Sequence, residues 1–305
     1  MSDSFSYSRL EVYNKCPFKY KLTYVDGHKI EVDTVATEFG TLVHYIEEQI
    51  GLDIKSGKEI DYNHYANLFL NINNENAVGV THLKNKYYDD WNEPNKQGLT
   101  YGDKALIYLE VGIYRLQRFL NNNTNVSIYA LELEFEVTIM NRKFGGFIDR
   151  ILYDKINNKY IIEDVKTYTK LLTDKELKSS LQMHIYTHAL RNIIGDSPTI
   201  ECQYNLPLCD KIQRSIIDIN IVSEGLQDVF NGVDKKIFPP VQTPLCHWCV
   251  FSNTYPNQPA EAKNLCPYFC KWTRDNKTMN VENYWQGDER HQVILERFIK
   301  KENNK

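Results

Sequence analysis

Three closely spaced strand patterns between residues 131 and 167 limit the folds open to this chain more than any other feature. Residues 131–139 (LELEFEVTI) alternate apolar and acidic side chains, the two-residue period of a half-buried strand. Residues 144–153 (FGGFIDRILY) read as a second strand entered through Gly145-Gly146, and residues 159–167 (KYIIEDVKT) as a third. The second and third pair as a hairpin across Asp154 to Asn158. Helical patterns flank them. In residues 36–50, Phe39, Leu42, Val43, Ile46 and Ile50 form one apolar stripe, with His44 off it on a face with Gly40, Glu47 and Glu48. Residues 104–120 and 174–194 are further helices, and 200–207 and 212–222 further strands. A chain of this length with both helices and strands allows one large α/β domain with insertions, or two smaller ones.

Composition narrows the class. At 305 residues, with 42% hydrophobic and 25% charged side chains, the chain can bury a sizeable core. No apolar stretch reaches about 18 residues, so no membrane span is expected. No signal peptide is evident, and a cytoplasmic protein is the expectation. The net charge of −4 argues against coating nucleic acid by bulk charge but leaves room for a local basic path. Residues 51–103, polar and Asn-rich, read as an insertion or helical cap. Residues 1–275 are expected to form a single domain, followed by a polar tail at 276–305.

The chemical signal is Asp149 followed by Asp164-Val165-Lys166. Positions i and i+2 of a strand share a face, so Asp164 and Lys166 point the same way while Glu163 points away. Asp149 lies on the neighbouring strand. Two carboxylates there offer hard oxygen ligands for Mg²⁺ or Mn²⁺. The lysine can orient a water or offset charge on a phosphate, which is what phosphodiester hydrolysis requires. Alone, Asp-x-Lys is also the pattern of a surface ion pair.

It does not stand alone. Gly40-x-x-x-His44 precedes it on a helix, Gly146-Phe-Ile-Asp149-Arg150 sits on a strand, and Gln182-x-x-x-Tyr186 follows on a helix. In this order the pieces resemble the PD-(D/E)XK nuclease superfamily, and most closely its RecB-type branch, which includes helicase-associated nuclease domains, stand-alone phage exonucleases and CRISPR-adaptation nucleases. The resemblance spans roughly residues 5 to 270. It implies a restriction-endonuclease-like core with a central mixed sheet flanked by helices. It implies metal ligation by His44, Asp149, Asp164 and the Val165 carbonyl, with Lys166 as the catalytic lysine. Gln182 and Tyr186 would line the site and place the lysine or the DNA strand. His184 and His188 share another face of that helix and lack the glutamate of a metalloprotease pattern, so they read as incidental.

Cysteine usage gives a second signal. Cys246-His-Trp-Cys249 is a C-x-x-C, followed by Cys266-Pro267 and Cys270, with Cys16-Pro17 near the other end. Two residues between sulfurs let both reach one metal. In iron–sulfur members of the resembled branch, one N-terminal and three C-terminal cysteines hold a [4Fe–4S] cluster. Cys16, Cys246, Cys249 and Cys266 match that arrangement, with the segment 245–270 clasping the Cys16 region. The long gap from Val250 to Leu265 departs from the family pattern. It keeps Cys270 as a rival ligand and zinc as a rival metal. Cys202 and Cys209 read as small apolar residues.

Lys15, Lys19, Lys21, Arg142, Lys143 and Arg150 are candidate phosphate contacts. The expected function is a metal-dependent deoxyribonuclease, an exonuclease working in recombination, repair or processing. No nucleotide-binding G-x-x-x-x-G-K-[ST] is present, so any unwinding would come from a helicase or recombination partner. The alternative is a catalytically silent DNA-end-binding or scaffold subunit.

Overall fold

The computed structural model describes residues 4–266, apart from 31, 96, 169, 218, 242, 243, 253, 254, 256, 257 and 264. Cys270 and the tail from residue 276 lie outside the described residues. In chain order the helices are α1 (Tyr7–Lys15), α2 (Pro17–Tyr20), α3 (Val35–Lys55), α4 (Tyr62–Asn71), α5 (Val80–Lys86), α6 (Tyr88–Asn92), α7 (Tyr101–Ile107), α8 (Ile113–Asn122), α9 (Asp174–Lys178), α10 (Leu181–Ile194) and α11 (Ile219–Asp234). The strands are β1 (Val126–Ile139), β2 (Arg142–Asp154), β3 (Lys159–Val165), β4 (Thr199–Leu206) and β5 (Lys211–Ser215). Of the described residues, 4–5 and 33–222 form one compact unit, and 6–32 and 223–266 form a second. No described helix is long and apolar enough to cross a membrane.

The first unit is built on a five-stranded mixed sheet of order β1-β2-β3-β4-β5. Met140 and Asn141, both at positive φ, close the β1–β2 hairpin in the sense that suits strand twist. The Asp154 carboxylate accepts the N–H groups of Ile156 and Asn157, each at 3.1 Å, and so shapes the β2–β3 turn. β3 and β4 run parallel. That pairing needs a crossover, which α9 and α10 supply. Thr34 and Thr37 cap α3 reciprocally, and its expected apolar stripe is buried. Gly51 lets α3 lie close on β1, because a Cβ there would meet Leu131 Cδ2 at 2.6 Å. Residues 51–103 form a packed helical layer: Tyr65, Phe69, Val80, Leu83 and Trp91 share one core with Phe39 of α3.

Several elements depart from their expected spans: β1 starts at Val126 and α3 runs on to Lys55. The helix expected over 104–120 contains a wide turn at Tyr108–Gly112, where the Tyr108 ring occupies the space a side chain at Gly112 would need. The helix expected over 174–194 is two helices, because the Ser180 hydroxyl accepts the Met183 N–H and starts a new one. The strand expected over 212–222 stops at Ser215. Beyond it, buried Leu226, Val229 and Phe230 follow a helical period along α11.

His184 is buried on α10, its Nδ1 has no hydrogen-bond partner, and its ring lies 4.7 Å from that of His188. Burial, helped by His188, pushes its pKa down to about 4. The folded state therefore holds His184 neutral, whereas the unfolded chain protonates it near 6.5. This contribution to stability is complete above about pH 6.5 and is lost as pH falls towards 4. Urea unfolding midpoints of the wild type are expected to drop more steeply across that window than those of His184→Leu. Parallel pH profiles would rule the effect out.

In the second unit, Cys16 caps α2 through its side chain, with Pro17 at the first helical position. The Tyr13 hydroxyl of α1 donates to the Ile237 carbonyl at 2.8 Å. Phe18, Leu22, Val250, Phe251 and Ala262 form a small core, against which Cys16, Cys249 and Cys266 pack.

Candidate active site

The site gathers where α3, β1, β2 and β3 meet. His44 Nδ1 lies 3.2 Å from Asp149 Oδ2, and the same oxygen accepts the Val165 N–H at 3.0 Å. Ligand-type atoms of His44, Glu132 and Asp149 all fall within 4.8 Å of one another. Asp164, as alternation along β3 required, shares its face with Lys166, whose Nζ is 2.5 Å from Asp164 Oδ2. That contact is an ion pair without hydrogen-bond alignment, so a fully buried carboxylate oxygen keeps acceptor capacity. Gln182 joins the parts. Its Nε2 donates to Asp164 Oδ1 at 2.8 Å and to the Tyr186 hydroxyl at 3.0 Å, while its Oε1 accepts from Lys166 at 3.1 Å. Both amide hydrogens are used, and the reversed amide would set its oxygen against a carboxylate. Tyr186 is held in turn by an edge-on contact with Phe135.

The structure thus brings His44, Asp149, Asp164, Lys166, Gln182 and Tyr186 into one constellation. Val165 contributes the N–H to Asp149, and its side chain is buried in the core around α3.

The sequence reading missed Glu132. By sequence it is one of the acidic positions, with Glu134 and Glu136, of the alternating segment 131–139. In the observed register Leu131 pairs Arg150 and Leu133 pairs Ile148, so Glu132 stands opposite Asp149. Its φ of +40 is rare for a residue with a side chain and marks a local departure from strand geometry. Only the strand register identifies it, since spacing alone makes it equivalent to its acidic neighbours. Arg150, in contrast, is no phosphate contact: it is buried and paired with Glu47 and Glu163.

The electrostatics are those of a site short of positive charge. Burial raises Asp164 to about 6, with the Asp149 charge adding to it. Burial and Asp149 likewise raise Glu132 to about 7. Burial opposes an imidazolium at His44, but the hydrogen bond and charge of Asp149 outweigh it and push His44 up to about 9. A proton is thereby held among the carboxylates, where a divalent cation would do the same work more strongly. Burial opposes the Lys166 ammonium as well, yet Asp164 and Asp149 raise it, so Lys166 stays charged. The site opens on a cleft of about 1130 Å³ walled by Thr37, Thr41, Glu48, Glu75, Asn76 and Glu132. No lysine or arginine lines that cleft among the described residues.

In the second unit, Cys16, Cys246, Cys249 and Cys266 line one cavity of about 230 Å³. Cys16 Sγ accepts the Lys19 N–H at 3.4 Å. Burial raises the Cys249 thiol, opposed by the Lys19 charge and by the N–H groups of Phe251 and Ser252. N–H groups directed at sulfur suit a metal-bound thiolate.

The sequence model of the PD-(D/E)XK nuclease superfamily matches residues 4–254. No curated protein matches the chain. Among solved structures, a candidate exonuclease of Eubacterium rectale is 13% identical with a TM-score of 0.39, over 81% of this chain and 87% of that one. The protein SSO0001 is 17% identical with a TM-score of 0.27, over 77% of this chain and 99% of that one.

Proposed function

Since the chain belongs to the PD-(D/E)XK nuclease superfamily, we propose that it is a metal-dependent DNA exonuclease of the RecB-type branch. The observation that carries this reading is the meeting of His44, Glu132 and Asp149 within 4.8 Å beside the Asp164–Lys166–Gln182 set. Mg²⁺ or Mn²⁺ fits this donor set, which is all oxygen and imidazole nitrogen and includes a buried carboxylate oxygen with capacity to spare. His44, Asp149, Asp164 and the Val165 carbonyl would hold it, with Glu132 as an added carboxylate. When bound, the ion polarises the phosphoryl oxygen and lowers the pKa of an attacking water.

The chain's own groups complete the task. Lys166, held as ammonium, donates to a phosphate oxygen or to the attacking water and offsets the charge that develops there. Gln182 fixes the direction of Lys166 and keeps Asp164 oriented, and Tyr186 anchors Gln182. The acidic cleft wall repels a polyanion, so binding of DNA at the site depends on the cation.

The second unit's four thiols are read as the seat of a structural [4Fe–4S] cluster, with zinc as the rival. The protein would work in the cytoplasm in recombination, repair or DNA processing, with a helicase or recombination partner where strands must be separated.

The test is degradation of end-labelled linear and circular DNA with Mg²⁺, Mn²⁺ or chelator. Cation-dependent loss of linear DNA is expected. DNA binding with no cleavage under any cation would instead favour a silent end-binding subunit. Glu132→Gln is expected to raise the Mn²⁺ concentration needed for half-maximal cleavage by about 10-fold, the order of effect seen when a supporting group at a metal site is lost. An unchanged requirement would remove Glu132 from the site.

A further inference from the structure

Behind the site lies a second charged cluster that the proposed chemistry does not use. Arg150 is 2% exposed, and Glu47 and Glu163, at 5% and 3%, are its partners. Arg150 Nη1 donates to Glu47 Oε2 at 3.0 Å, and its Nε donates to Glu163 Oε1 at 2.8 Å, with Nη2 on that oxygen as well. Gln203 of β4 donates to the other Glu163 oxygen and accepts from Arg214 of β5 at 3.2 Å.

Each member sits beside a proposed ligand. Glu47 is one helical turn after His44 on α3, Arg150 follows Asp149 on β2, and Glu163 precedes Asp164 on β3. Because strand side chains alternate, Arg150 and Glu163 leave the sheet on the face opposite Asp149 and Asp164. They pair directly across the ladder. The guanidinium therefore ties together, from behind, the three elements that carry the ligands.

We infer that the Glu47–Arg150–Glu163 triad is a positioning set, which holds α3, β2 and β3 in the arrangement that the metal ligands require. Three charges taken out of water contribute little net stability compared with apolar side chains of similar volume. A planar fork with fixed donor directions does what apolar packing cannot: it sets the angle and register of one helix against two strands. Ligation tolerates errors of only a few tenths of an ångström, so loosening this tie appears at the site as weaker metal binding.

The inference rests on the metal reading above, and the experiment separates the two. Titrate wild type, Glu47→Gln and the apolar triple variant Glu47→Met/Arg150→Met/Glu163→Met with Mn²⁺, following free Mn²⁺ by electron paramagnetic resonance. Record thermal unfolding without metal and kcat at saturating Mn²⁺. The triple variant is expected to keep or gain thermal stability while losing about 10- to 100-fold in Mn²⁺ affinity and falling in kcat. Glu47→Gln keeps an acceptor for Arg150 and is expected to lose about 10-fold in affinity. A folded triple variant with wild-type affinity and kcat overturns the inference and leaves the metal reading intact. Should the triple variant fail to fold, wild-type affinity in Glu47→Gln overturns it equally. A wild type that binds no Mn²⁺ sinks both.

Discussion

Lys166→Ala is expected to lower the cleavage rate by about 10²- to 10³-fold, the usual effect of removing one preorganised donor from a developing oxyanion, while DNA affinity changes by no more than a few-fold. The expectation follows from where the ammonium is held. Its Nζ sits 2.5 Å from Asp164 and 3.1 Å from Gln182, both fixed, so little reorganisation is needed when charge grows on the phosphate. Asp164 and Asp149 keep the lysine protonated. On the proposed reading it is a donor and a charge rather than a base that takes a proton from water. Truncation removes that charge, and it also leaves Asp164 beside Asp149 with one fewer cation, which raises Asp164 further. Lys166→Arg is expected to recover little, because a planar fork cannot occupy the position of a point charge between Asp164 and Gln182. Gln182→Ala is expected to fall between wild type and Lys166→Ala, since Asp164 still holds Lys166. Single-turnover cleavage with a parallel binding assay checks the series. Wild-type turnover in Lys166→Ala would mean the lysine is not part of the chemistry.

The same residues separate what is local in the sequence from what is not. Asp164, Lys166 and Glu163 were separable because strand alternation is a strictly local rule, and the observed β3 obeys it. The Gln182 and Tyr186 spacing placed both on one helix face for the same reason. What could not be read depends on register between distant segments. Glu132 stands opposite Asp149 only because Leu131 pairs Arg150, and nothing local distinguishes it from Glu134. Arg150 reads as a phosphate contact by sequence because it adjoins Asp149. Its burial depends on Glu47, 103 residues earlier, being brought to within 3.0 Å. The helix start at Ser180 turns on one hydroxyl that accepts the Met183 N–H, and the wide turn at Tyr108–Gly112 has the Tyr108 ring packed against Gly112. These effects lie below the resolution of hydrophobic periodicity.

Loss of the proposed cysteine-held metal is the prediction with the largest expected effect on stability. Thiolate–metal ligation carries folding free energy directly, about 10–16 kcal/mol in apparent terms for small zinc modules. In the second unit Phe18, Leu22 and Phe251 of the small core line the thiol-bearing cavity itself, so losing the metal would unsettle that core first. Anaerobically purified protein is expected to show broad absorption near roughly 400 nm. Oxidative removal of the cluster, or Cys249→Ser, is expected to speed hydrogen exchange in α1, in α11 and around residues 246–251. The β1–β4 ladders, which carry their own core, should keep their protection. The contrast matters because the two units have different sources of cohesion. One is built on a five-stranded sheet, and the other places four cysteines around a cavity in its small core. A colourless preparation holding zinc would replace the iron–sulfur assignment but not the structural role. Unchanged exchange in Cys249→Ser would end the structural role itself, and the cysteines would then be ordinary thiols packed against an apolar core.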